Sequence, residues 1–302
     1  MFNYFEFNHF LLIFEAVSFC FVPQVRFMKI PAKAIPLFIC LWAIVPLVAQ
    51  TATIVPGSYV AGNASVAYNA EWQPFQNPAA LACEHQYSLS LLYENRYITA
   101  ELSNAAFSVA IPTKYINVGA QFSYFGYAEY HEMLAAVTFA RTFGDIFHLG
   151  VECDYYAVYL SPSERYKSTA TVQIGFQVQV VPSLTIGFSA FNPIFSKVKT
   201  DLTEKRLPSV FSLGTNYRIH EKVAWLVQID KEVHSPVRWA TGFEYAPFDV
   251  FDVRIGCYGS DYVVPTLGVG CGWGGFRFHL HCEYRNPLGV TLLGALQYRF
   301  GS

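Results

Sequence analysis

The 302-residue chain is 53% hydrophobic and 17% aromatic but only 14% charged, where a soluble domain carries roughly 25% charged residues. This balance excludes a disordered chain, which is poor in aromatics and rich in charge, and a formal net charge of −2 excludes a broad basic face for nucleic acid. Mean hydropathy is only +0.27, and beyond residue 50 no stretch reaches the roughly 18 apolar residues of a spanning helix. A transmembrane β-barrel combines these properties, because alternation hides its lipid-facing residues from a hydropathy window.

Met28 opens a stretch with the pattern of a secretory signal. Lys29 and Lys33 supply a positive start, Ala34 to Val48 an apolar run, and Leu47-Val48-Ala49 a cleavage site before Gln50. Residues 1–27 precede that start as an upstream extension, so 1–49 is expected to be extension and signal peptide. Removing it takes Arg26, Lys29, Lys33, Glu6 and Glu15, leaving 17 basic against 20 acidic residues. Five cysteines then remain, Cys83, Cys153, Cys257, Cys271 and Cys282. An odd number without CxxC pairs indicates neither a disulfide framework nor a zinc site.

Residues 50–84 lack strand alternation. Within them, Asn77-Pro78-Ala79-Ala80-Leu81-Ala82 reads as a short helix start, with Asn77 as N-cap and Pro78 at the first helical position. The segment is either a plug inside a barrel or a lead-in lying in the periplasm. As a plug it carries Trp72, Phe75 and polar residues such as Asn63, Asn69, Glu71 and Gln73 to bond with lumen groups including Arg254 and Arg277.

From about residue 85 the period is two. Val172, Ile174, Phe176, Val178 and Val180 alternate with Thr171, Gln173, Gly175, Gln177 and Gln179, the signature of a strand with one apolar face. Runs of this kind predict about fourteen strands near 85–94, 98–111, 115–128, 132–143, 146–159, 167–180, 183–191, 208–219, 222–230, 236–246, 249–258, 264–272, 275–285 and 289–300, most of them long enough to cross a bilayer when tilted. Connections after even-numbered strands are tight; those after odd-numbered strands are longer or more polar, notably 192–207, with Lys197, Lys199, Asp201, Glu204, Lys205 and Arg206. An even strand number with short turns on one side is the habit of outer-membrane barrels. A soluble β-sandwich or propeller is the rival, but it would carry more charge on its second face than the Ser, Thr, Gly, Gln and Asn found here. The expected architecture is an all-β, closed antiparallel transmembrane barrel over 85–302.

The Asn77–Ala82 motif followed by continuous strands, together with Phe122-Ser123-Tyr124-Phe125-Gly126-Tyr127 and Ala190-Phe191-Asn192-Pro193, resembles the FadL-like outer-membrane superfamily and is similar in particular to the PorV/PorQ-type proteins of Bacteroidetes. Ala80 stands where many relatives have glycine. The resemblance implies a barrel in the outer membrane of a Gram-negative bacterium, accessory to protein secretion or envelope assembly or, alternatively, a passive channel for hydrophobic small molecules. The expected partners are outer-membrane lipid and either secretion components or hydrophobic solutes. The closing alternation of Leu296, Tyr298 and Phe300 resembles the signal read by barrel-assembly machinery.

The lumen-lining candidates are Arg254, Arg277, His279, His281, Glu283 and Arg285. His279, His281 and Glu283 share one strand face, a spacing that suits zinc, but Arg277 and Arg285 flank them and repel a cation, so a polar ladder with an arginine on Glu283 is expected and no metal. His148, Glu152 and Asp154 share another face without a nucleophile beside a base. There is no GxSxG, P-loop or dinucleotide fingerprint. No catalytic residue and no cofactor is assigned, and the chain is expected not to be an enzyme.

Overall fold

The computed structural model describes residues 55–301 except 145, 162–164 and 200–203; the expected signal peptide at 1–49 lies outside the described residues. Strands run in chain order as β1 (Tyr87–Asn95), β2 (Ser103–Ile111), β3 (Asn117–Gly126), β4 (Tyr130–Phe143), β5 (Phe147–Leu160), β6 (Tyr166–Val181), β7 (Leu184–Phe191), β8 (Lys197–Lys199), β9 (Glu204–Arg206), β10 (Val210–His220), β11 (Val223–Glu232), β12 (Val237–Phe248), β13 (Phe251–Gly259), β14 (Val263–Trp273), β15 (Phe276–Arg285) and β16 (Gly289–Phe300). All but β8 and β9 form one closed barrel in which sequence neighbours are antiparallel partners and β1 pairs with β16. The register at closure runs from Tyr87 opposite Phe300 to Asn95 opposite Leu292. The barrel is the fourteen-stranded, antiparallel transmembrane structure that the alternation predicts.

The alternation decides which face meets what. In β6, Ile174 is exposed while Thr171, Gln173 and Gln177 are buried inside. The outer face carries Leu89, Leu91, Phe122, Phe139, Val151, Trp225, Ile229 and Phe243, all exposed, a belt that only lipid can cover. Aromatic pairs rim it at both ends: Tyr87 with Phe300 and Phe276 with Tyr298 at the short-turn end, His131 with Tyr124 and Tyr159 at the loop end. Amphipathic rings at these two heights are what the membrane–water interfaces select.

Two expectations need correction. β2 was expected from residue 98 but starts at Ser103, because Arg96–Ile98 and Ala100–Leu102 form 3-10 turns. Tyr97 and Ile98 sit at φ 58° and 54°, a region that breaks an extended strand. The 192–207 connection is not plain loop: β8 and β9 pair as a small hairpin outside the barrel sheet.

Candidate functional site

The chain entering β1 fills the lumen. Residues 55–86 cross it against the inner wall, and the wall carries glycine where the crossing backbone comes closest. A Cβ at Gly242 would lie 2.5 Å from the Ala61 carbonyl carbon, one at Gly119 would lie 2.7 Å from the Trp72 ring, and Gly150, Gly175, Gly187 and Gly256 meet the backbone or side chains of Pro78, Asn77, Val66 and Gly62 in the same way. These glycines occupy lumen-facing positions of six different strands, so they form a belt on which the plug backbone is seated.

The Asn77–Ala82 motif lies within this belt. Its turn over Pro78–Cys83 is a six-residue 3-10 helix, with Asn77 extended and its side chain accepting from the Ala79 amide, the cap that the sequence predicts. Asn77 Nδ2 also donates to Val66 O (2.6 Å) and Phe188 O (3.4 Å), tying the motif to the rest of the plug and to β7. Pro78 sits on Gly150 of β5, and Asn117 of β3 donates to the carbonyls of Leu81 and Glu84 at 2.9 and 2.8 Å. Ala79, Ala80, Leu81 and Ala82 are buried; Ala80, Leu81 and Ala82 form a small apolar core with Trp72, Ala110 and Ala140.

On the opposite wall a charged network grips the plug at Glu71. Arg254 is fully buried and lies 2.9 Å from Asp252, 3.7 Å from Glu244 and 3.8 Å from Glu71. Its Nη1 donates to Tyr59 O (3.2 Å) and meets His279 Nδ1 at 2.9 Å. An arginine can only donate, so Nδ1 accepts and the ring proton is left on Nε2, facing Glu71 Oε1 at 3.3 Å. Tyr59 stacks on His279 with ring centroids 4.2 Å apart. Arg277 pairs with Asp252 at 2.7 Å, and both Arg277 and Arg299 approach Glu71, at 3.9 and 3.8 Å. Burial alone would push the Glu71 carboxyl up, but His279, Arg254 and Arg277 outweigh it and hold the group at about 2.

The remaining lumen candidates sit toward the loop end. Glu283 accepts from Asn63 Nδ2 (3.0 Å) and from the Tyr258 hydroxyl (2.7 Å), and Arg285 donates to that same hydroxyl at 2.9 Å. His281 is buried beside Gly268. Thus Arg254, Arg277 and His279 converge on one plug residue, whereas Glu283 and Arg285 meet around Tyr258. Asn69 reaches Thr185 (3.5 Å) and Gln73 reaches Ser58 (2.9 Å). The face bearing His148, Glu152 and Asp154 is also occupied: His148 meets Thr142, Glu152 accepts from Thr138, and the Pro78 backbone seated on Gly150 lies between them.

Sequence reasoning missed a third region. At the loop end the inner faces of β1 to β5, β7 and β16 contribute an apolar patch: Leu92, Ala106, Phe125, Leu134, Tyr156, Val158, Phe191 and Leu293 are buried in one cluster with Tyr59 and Phe75 of the plug and with Val198 and Leu207 of the 192–209 connection. Its signal lay in lapses of alternation, such as Leu91-Leu92, Met133-Leu134-Ala135 and Tyr155-Tyr156-Ala157-Val158, where both faces are apolar.

The β8–β9 hairpin covers this cluster. Its base is Asn192, whose side chain accepts from Thr171 Oγ1 (2.7 Å) and Ser196 N (2.8 Å) and donates to Leu207 O (3.1 Å). From β9, Lys205 ion-pairs with the buried Glu132 of β4 and donates to the Tyr130 hydroxyl at 2.6 Å.

No protein-family profile matches the chain, and no curated protein matches it. Among solved structures, the Pseudomonas putida toluene transporter TodX superposes with a TM-score of 0.60 at 10% identity, covering 82% of this chain and 97% of that one. A deltaS2 mutant of the TodX monoaromatic hydrocarbon channel gives 0.60 at 10% identity over 80% and 97%, and a Pseudomonas aeruginosa FadL homologue gives 0.57 at 10% identity over 81% and 97%. At this identity the likeness is one of fold: the chain shares its barrel architecture with TodX and the FadL homologue.

Proposed function

We propose that the protein is an outer-membrane channel for hydrophobic solutes, with the short turns in the periplasm and the β8–β9 hairpin facing outward. The observation that carries this reading is the apolar inner wall around Leu134, Phe125 and Val158. A porin lumen is polar along its length, and a polar wall offers an apolar solute nothing that water does not. An apolar wall gains about 25 cal/mol per Å² of apolar surface removed from water. Neighbours of the same fold described as a toluene transporter and a hydrocarbon channel support the assignment. The aromatic end of β16 supports delivery by barrel-assembly machinery. A role accessory to secretion rests on the PorV/PorQ resemblance and on the charge of the 192–207 connection.

The test is uptake of a neutral hydrophobic fluorophore, N-phenyl-1-naphthylamine, by a Gram-negative host expressing the protein, with heat-modifiable gel migration as the check on folding. Uptake several-fold above the empty-vector control is expected, and Leu134→Gln should reduce it. Control-level uptake by a folded barrel would refute the reading.

A further inference from the structure

The Lys205 ammonium does more than touch a carboxylate. It lies 5.4 Å from the Tyr130 ring centroid and 5.7 Å from that of Tyr156, donates to the Tyr130 hydroxyl and ion-pairs with Glu132. Glu132 is 2% exposed. Its Oε1 accepts from the Tyr130 hydroxyl and from Lys205, and its Oε2 accepts from the Tyr156 hydroxyl at 2.7 Å. Two aromatic faces and one buried carboxylate are the elements by which proteins hold organic ammonium ions. The cage stands at the edge of the apolar cluster, since Tyr156 belongs to it and Tyr130 packs against it.

We propose that Tyr130, Glu132 and Tyr156 form a binding site for the ammonium group of a hydrophobic amine, which Lys205 fills when the hairpin is down. The proposal rests on the channel reading and names a solute class for it. Its logic is one of exchange. Lifting the hairpin withdraws the Lys205 ammonium from a carboxylate buried at the edge of an apolar cluster, and an uncompensated buried charge is costly. A bare metal ion would replace the charge and water would only hydrogen-bond the carboxylate, and neither gains anything from the adjoining Phe125, Leu134 and Val158. An alkyl- or arylammonium ion replaces the charge, keeps the cation–π contacts and lays its tail on the cluster. An anionic amphiphile would meet Glu132 directly and is rejected. Lys205 therefore acts as a tethered competitor, and binding of an amine and raising of the hairpin are one event.

The experiment uses the full-length barrel in a nonionic detergent, with benzylammonium as ligand and with benzyl alcohol and benzoate as neutral and anionic controls of the same shape. Binding is followed by calorimetry and by the midpoint of heat-modifiable migration. Lys205→Ala should bind benzylammonium at least tenfold more tightly than wild type and recover its lost midpoint on saturation, while both controls do neither. Glu132→Gln should abolish binding, and Tyr156→Leu in the Lys205→Ala background should weaken it about threefold to tenfold. Should Glu132→Gln fail to fold, the comparison of Lys205→Ala with wild type still decides. Equal binding of benzylammonium and benzyl alcohol by Lys205→Ala, or no gain over wild type, would reduce Lys205 to a structural latch and overturn the proposal. Uptake of the neutral fluorophore reports on the channel separately, so a working channel without an ammonium site is a distinct result.

Discussion

The grip on Glu71 predicts how acid loosens the plug. The ordinary carboxyl value of 4.5 falls to about 2 in the docked segment, which at about 1.4 kcal/mol per tenfold is worth about 3 kcal/mol, or roughly 300-fold in the docked population. This is an upper figure, because a His279 that accepts from Arg254 offers Glu71 an N–H dipole and not a full charge. The docked value lies below the free one, so the contribution is complete above about pH 4.5 and drains away as pH falls toward 2. Glu84 works in the opposite sense. Burial pushes its carboxyl up against the pull of Arg299 and the Trp72 amide, so its protonation on mild acidification tightens docking before Glu71 gives way. Docking is therefore strongest in mildly acidic solution. Glu71→Gln removes the charge without orphaning Arg254, which keeps Asp252 at 2.9 Å and Glu244 at 3.7 Å. Protection of the 55–86 amides, read as exchange relative to the free-amide rate at the same pH, should fall by up to two orders of magnitude in Glu71→Gln at pH 7, and the loss of protection that wild type shows below pH 4.5 should be absent from it. Amides as slow as in wild type would show that the charged network does not hold the plug.

Other consequences follow from the seating of the plug. Gly150→Val places a side chain where the Pro78 backbone lies and should give a larger, steadier planar-bilayer conductance with unchanged heat-modifiable migration; an unchanged conductance would mean that the belt tolerates a shift. Asn77→Ala loses the cap to Ala79 N at 3.0 Å and the bond to Val66 O at 2.6 Å, about 2 kcal/mol together, measurable as roughly thirtyfold faster exchange of the neighbouring amides. Phe75→Ala and Val198→Ala, one in the plug and one in the hairpin, truncate side chains of the same buried cluster, and their effects on thermal midpoint should be non-additive by more than about 0.5 kcal/mol in a double-mutant cycle.

The barrel was legible because its signal is local and repeated. In β6 every second residue from Val172 is apolar, and the same rule extends to β16, so strand number and facing follow from period alone. The start of β2 was not, since 98–102 alternates well enough to pass for strand, and it is the positive φ of Tyr97 and Ile98 and the 3-10 turn at Ala100–Leu102 that delay the strand to Ser103. The candidate site divides in the same way. Arg254, Arg277 and His279 stand out as polar groups on a lumen face, and their partner Glu71 as a charge in the long segment that precedes β1. Gly119, Gly150 and Gly242 looked like ordinary small residues on the polar face, because their purpose is a backbone that approaches from elsewhere in the chain. The Glu132–Lys205 contact spans 73 residues and depends on a hairpin folding back over the mouth, which no periodicity encodes.

The two closures differ in what they would cost to open. The plug is held by backbone seated on glycine and by charges desolvated together, interactions that need close geometry and weaken as soon as the segment shifts. The hairpin is held by Asn192 at its base, by the Lys205 ion pair with Glu132 and by the burial of Val198 and Leu207. Tyr59 and Phe75 of the plug share the buried cluster with Val198 and Leu207, so on the proposed channel reading a solute entering under the hairpin would replace hairpin contacts first and touch the plug second. Because Tyr59 also stacks on His279 and accepts from Arg254 through its carbonyl, displacement of its ring by a solute bears directly on the network that grips Glu71. On the proposed channel reading, the order of opening would run from the loop end inward, with the apolar cluster as the element shared by plug and hairpin.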